Sequence, residues 1–219
     1  MIGPSGATVV RIAGGLVLML AAPLRIPAQA RPAVPTLDLF DFHRDAAQRV
    51  ALPPGLREVS GLAVTADGRL FAHGDEAGVV AQLNPLTGAI QKHFALGSPA
   101  IRGDFEGIAI AGERFFLITS NGRLYETREG ANGVGMRFTV VDTGFGKSCE
   151  IEGLAYEPSD RVLLIGCKQP LQQAPRGRMT LFRWSLDLNA AASPDRLTID
   201  LTGVDKSTGL ANTRISSLE

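Results

Sequence analysis

Five carboxylates recur at matching places in this sequence. Glu58, Asp104 and Glu150 each stand three residues before a glycine, and Glu106 and Glu152 stand one residue before it; Ser60 holds that second place in the first copy. The copies read Glu58-Val-Ser-Gly-Leu-Ala-Val, Asp104-Phe-Glu-Gly-Ile-Ala-Ile and Glu150-Ile-Glu-Gly-Leu-Ala-Tyr. Side chains two apart share a face of a strand, so each copy would present both positions on one side. Like charges gathered in this way repel, and something must offset them. A hard cation does so: Ca²⁺ takes six to eight oxygen ligands from carboxylates, carbonyls and water. The alternative is that the acids only meet water.

The element that positions them is a repeat. Gly61, Gly107 and Gly153 are spaced 46 residues apart, and a weaker fourth copy, Arg214-Ile-Ser-Ser-Leu, puts Ser217 a further 64 residues on. A strand-built period of this length is the signature of a β-propeller blade. The expected fold is all-β, with four-stranded blades. In each repeat the motif is the first strand. The second strands begin at Arg69, Arg114 and Arg161, after hairpin turns at Asp67-Gly68, Gly112-Glu113 and Ser159-Asp160. Third strands follow at 79–83, 123–126 and 179–184, and fourth strands at 90–94, 137–141 and 196–201. The blades span about 56–99, 100–145 and 146–203, with 212–219 opening a fourth. The extra length before the fourth copy comes from an insertion, Gln169 to Arg178, and a longer link, Asp187 to Asp195. Residues 36–52 read as two strands of a closing blade. Three and a half blades cannot close a ring, so the chain is expected to be part of a longer protein.

The first strand of a blade lines the central channel, so the acids would project into its mouth. The second strand returns to the same end. It brings His73, Asp75 and Glu76 in the first repeat, Thr119 and Asn121 in the second, and Cys167 and Lys168 in the third. The insertion, with Arg176 and Arg178, would overhang this rim. The rim is either a ligand site or a solvated loop surface. The motif glycines read as structural, marking a bulge or a close backbone approach. Cys149 and Cys167, the only two cysteines, flank one hairpin. They are either joined across it or remain buried thiols, because a register shift of one would part them.

The 22 basic and 22 acidic side chains balance. This gives no electrostatic reason to expect nucleic acid or an anionic membrane as partner. Residues 1–30 read as a secretory signal. Arg11 precedes an apolar run from Ile12 to Leu24, and Ala28-Gln29-Ala30 has the small-x-small form of a cleavage site. The run is too short for a comfortable membrane span, although an uncleaved anchor is the other reading. Residues 31–35 are a proline-rich linker. The mature chain is expected in the periplasm or outside the cell, where a disulfide is reasonable. No Gly-x-Ser-x-Gly elbow, His-Glu-x-x-His or phosphate-cradling glycine loop is present.

Taken together, Glu58-Val-Ser-Gly-Leu-Ala, Gly68-Arg-Leu-Phe-Ala-His-Gly-Asp-Glu, Gly103-Asp-Phe-Glu-Gly-Ile-Ala-Ile and Cys149-Glu-Ile-Glu-Gly-Leu-Ala-Tyr-Glu-Pro resemble the SdiA-regulated family of bacterial extracytoplasmic proteins. That family is similar to the phytase-like esterase propellers. The resemblance spans roughly residues 50 to 219. It implies a six-bladed propeller carrying Ca²⁺, and little about activity. Three functions follow. One is a binding module whose acidic face takes a cation and a small ligand or envelope protein. The second is a Ca²⁺-dependent phosphoesterase, in which clustered metals activate water. The third is an interaction scaffold with hydrated acids. For phosphate, the only basic candidates at the rim are Lys168, Arg176 and Arg178.

Overall fold

The structure, a computed structural model, describes residues 49–56, 58–171, 178–187 and 195–201. The leader, the linker, residues 36–48, Arg176 and the fourth motif copy lie outside the described residues. Among the described residues there is no α-helix, and no helix long and apolar enough to cross a membrane.

Among the described residues, thirteen strands form three sheets. The first sheet contains β1 (Val59–Val64), β2 (Leu70–Gly74), β3 (Val79–Leu83) and β4 (Ile90–Leu96). The second contains β5 (Phe105–Ala111), β6 (Arg114–Thr119), β7 (Arg123–Arg128) and β9 (Thr139–Asp142). The third contains β10 (Cys149–Glu157), β11 (Val162–Pro170), β12 (Arg178–Ser185) and β13 (Asp195–Asp200). Within each, successive strands pair antiparallel. The motif strands β1, β5 and β10 lie side by side, β5 between the other two.

Local chemistry sets the hairpins. Gly68 adopts φ +82° between β1 and β2. There the Thr65 hydroxyl donates to Asp67 and accepts from the Arg69 amide at 2.9 Å. Asn84 caps the β3–β4 turn, its side-chain oxygen accepting from Leu86 N at 2.9 Å and Thr87 N at 3.1 Å.

Among the described residues, strand alternation then sorts apolar side chains into two large clusters and a smaller one of Leu56, Ala72, Ala81 and Leu83. Phe71, Phe94 and Phe115 meet edge to face between the first and second sheets, with Phe115 centred 5.0 Å from Phe71 and 5.4 Å from Phe94. Between the second and third sheets, Phe145 stacks on Phe182 at 4.2 Å, with Trp184 against the Phe145 edge. Two like hydrogen bonds fix how far each sheet is offset from the next. Phe105 N donates to Asp75 O at 2.7 Å, and Ile151 N donates to Ser120 O at 2.9 Å.

Three segments differ from the sequence reading. Residues 49–53 form no strand, and Pro54–Leu56 is a 3₁₀ turn. Pro53 and Pro54 have no N–H to donate, so no ladder continues past Leu52. The expected insertion is shorter than its composition suggests, because β11 runs through Gln169 to Pro170 and β12 opens at Arg178. β8 (Val134–Met136) was not foreseen; it pairs parallel with β4 of the preceding sheet. A glycine permits that crossing, since a Cβ at Gly135 would come within 2.3 Å of Gly97 O.

The motif glycines also allow the first strands to approach. A Cβ at Gly107 would meet Leu154 N at 2.6 Å and Gly153 C at 2.9 Å, both backbone atoms that cannot swing aside. Gly107→Ala is expected to cost about 2–3 kcal/mol in urea unfolding. Gly55→Ala, where a Cβ would meet nothing within 4 Å, should stay within about 0.5 kcal/mol.

Candidate functional site

Each motif strand carries a register shift beside its glycine. The shift lies between Val59 and Gly61, between Phe105 and Gly107, and between Ile151 and Leu154, and the third strand has a second one between Glu150 and Ile151 that leaves Lys168 unpaired in the ladder. A bulge inserts one residue and re-aims its side chain. The residues at these shifts are Ser60, Glu106 and Glu152. Their neighbours Phe105 and Ile151 are buried, while Ser60, Glu106 and Glu152 are half-buried.

The structure brings these side chains into one polar row. Ser60 Oγ donates to Glu106 Oε2 at 3.0 Å, bridging the first and second sheets. Glu106 also feels the charges of Asp104, Glu152 and Lys168. The Lys168 ammonium contacts Glu152 Oε2 and lies 3.6 Å from Glu150 Oε1. Ser120 Oγ donates to Asp104 Oδ2 at 2.6 Å. Burial, reinforced by Asp104 and Glu152, pushes the Glu106 carboxyl up to about 6, although the Ser60 hydrogen bond and Lys168 oppose the shift. The bond to Glu152 raises Lys168 and holds it charged.

A disulfide joins Cys149 to Cys167, with Cα atoms 5.5 Å apart. These cysteines directly precede Glu150 and Lys168 in the chain. The cross-link therefore ties together the two strand ends that carry the Lys168 ion pairs.

Other candidates fall elsewhere. His73 does not belong to the rim. It is fully buried on β2, its ring packed where Gly61 has no side chain, with Nε2 2.5 Å from the place a Cβ would occupy. Nδ1 lies 2.8 Å from Gly74 O. A carbonyl can only accept, so Nδ1 carries the proton, and Nε2 has no hydrogen-bond partner among the described residues. Burial lowers the pKa, which keeps the imidazole neutral. Glu58, Asp75 and Glu76 line a separate cleft of about 460 Å³ with Leu56 and Arg102. Glu76 pairs there with Arg102 at 2.8 Å, both side chains exposed. Asn121 sits in the β6–β7 turn, its side-chain oxygen accepting from Thr119 Oγ at 2.7 Å. Ser120 was missed as a partner of Asp104, and no motif marks it. Ser60 had a signal, its place in the repeat.

Among the described residues, no three His, Cys, Asp or Glu side chains gather closely enough to hold a metal ion. Lys168 stands between Glu150 and Glu152 as a built-in cation. This donor set does not fit the six to eight oxygens of a Ca²⁺ cage, which would need ligands from outside the described residues.

No family model matches this chain, and no curated protein matches it. Among solved structures, the computationally designed Ika4 protein is similar over 70% of this chain and 99% of its own, with a TM-score of 0.37 and 12% identity. Hsv2 of Kluyvelomyces marxianus is similar over 57% of this chain, with a TM-score of 0.33 and 9% identity, and this chain covers 40% of Hsv2. Neither likeness bears on function.

Two measurements test this geometry. Glu106 titrates near 6 in the fold against 4.5 for an ordinary glutamate. The protonated carboxyl is thus the form the fold prefers. Its contribution is full below pH 4.5 and is lost as pH rises through about 6. After discounting for solvent screening, the loss is roughly 1 kcal/mol. Glu106→Gln should flatten that part of the stability–pH curve, read by urea unfolding across the window. Replacing both cysteines by serine opens a cross-link spanning 18 residues. Unfolding should then fall by about 3 kcal/mol relative to the oxidised protein, with reductant giving a similar loss in the unmutated chain.

Proposed function

We propose that this chain is an exported binding module built as a β-propeller, each of its three sheets one blade. Its acidic inner-strand row receives a cationic group of a small ligand or of an envelope protein. One observation carries the reading. Asp104, Glu106, Glu150 and Glu152 converge on one face with Lys168 as the basic side chain among them. Among the described residues, Asp104 and Glu106 have hydroxyl partners rather than cationic ones. The row thus keeps unbalanced negative charge beside a wall that burial has partly dried, where a positive group gains more than it would in open water.

Export is supported by the signal-like leader and by the Cys149–Cys167 disulfide. The blade reading is supported by the meander order of each sheet and by the adjacent motif strands, together with the resemblance to the SdiA-regulated family. A phosphoesterase is the weaker reading. Lys168 is already held by two carboxylates, and a phosphate would meet the same acids.

Calorimetric titration with calcium chloride and, separately, ethylammonium chloride at constant ionic strength tests the proposal. Saturable binding of at least one cation is expected, weakened tenfold or more by Glu106→Gln. Absence of binding by both cations, or binding that the substitution leaves unchanged, would overturn it.

A further inference from the structure

Beyond the motif glycines the three inner strands change character. Leu62, Val64, Ile108, Ile110, Leu154 and Tyr156 line much of a cleft of about 420 Å³, and no charged side chain is among its lining residues. Leu62 and Val64 are 38% and 51% exposed there. Each strand passes from the polar row to this lining within two residues: Ser60 to Leu62, Glu106 to Ile108, and Glu152 to Leu154. A strand rises about 3.3 Å per residue, so the lining runs from about 7 to about 13 Å beyond the carboxylates.

An apolar cleft of this size suits a small ligand, and the charge at its end decides which kind. A fatty carboxylate would set its head against four carboxylates. A bare inorganic cation would leave the cleft unused. We infer that the polar row and the cleft form one site for an amphipathic cation. An ammonium or guanidinium head sits at Asp104 and Glu106, and an apolar body lies along Leu62, Val64, Ile110 and Tyr156. This rests on the acidic row being a cation-binding face, and it adds the chemical class of the ligand. The head exchanges water for charge-assisted contacts with the carboxylates. The body removes apolar surface from water on both partners.

The test is a titration of the full chain with n-octylammonium, ethylammonium and octanoate, each below its aggregation concentration. Octylammonium is expected to bind at least tenfold more tightly than either of the others. Val64→Asn changes an exposed residue of the cleft, so the fold should tolerate it. It should remove most of that advantage and leave ethylammonium binding unchanged. Glu106→Gln should weaken both ammonium probes by a similar factor. If octylammonium binds no better than ethylammonium, the joint site is wrong while the cation face stands. Octanoate binding as well as octylammonium would also overturn it, since the cleft would then be apolar without regard to charge. If neither ammonium probe binds, the joint site falls, and the cation face falls with it only if calcium also fails to bind.

Discussion

The structure depends on the close approach of its three inner strands at the motif glycines. β5 reaches β10 only because Gly107 has no side chain to strike the Leu154 amide and the Gly153 carbonyl carbon. The Asp75–Phe105 and Ser120–Ile151 hydrogen bonds fix the same offset from one sheet to the next. Once the strands are this close, the residues at each register shift have to lie near one another. The polar row is therefore a consequence of backbone packing, not of attraction between its members.

That geometry gathers negative charge, and the protein offsets it in different ways along the row. At the first sheet a serine replaces the acid and donates a hydrogen bond to Glu106. At the third sheet Lys168 supplies positive charge to Glu150 and Glu152, on strand ends that the Cys149–Cys167 disulfide ties together. The middle of the row has neither a cation of its own nor full hydration, and Glu106 rises to about 6 as a result. The imbalance is local, because the whole chain carries equal numbers of acidic and basic side chains. Salt bridges elsewhere, such as Arg102–Glu76 and Arg128–Glu113, sit on exposed side chains. They contribute little to stability.

His73 shows how one fold tolerates different residues at a repeated place. It pairs across from Gly61, as Ile118 pairs across from Gly107. Both side chains are buried. The imidazole fits because one nitrogen finds the Gly74 carbonyl and the other packs against the bare α-carbon of Gly61. A histidine next to an Asp-Glu pair looks like part of a rim in the sequence. Its position in the β2 alternation puts it in the wall between two sheets instead.

The repeat, the strand order within it and the structural part played by the glycines were legible in the sequence, whereas β8 and the irregular segment at 49–53 were not. Alternation, hairpin residues and a period of 46 are local or periodic signals that the chain carries wherever it folds. It marked Glu106, Glu152 and Lys168 as neighbours at one strand end but left open what offsets their charge. Only the tertiary structure decided that. The bulges re-aim Ser60 and Glu106 toward each other across a 46-residue separation. A shift in the β10–β11 register at Lys168 leaves it out of the ladder, and its ammonium meets Glu150 and Glu152. Tertiary packing also separated Glu58, Asp75 and Glu76 into another cleft and carried β8 onto the preceding sheet. Contacts between sheets depend on offsets of a few ångströms between distant backbones, and residue type at one position does not encode them.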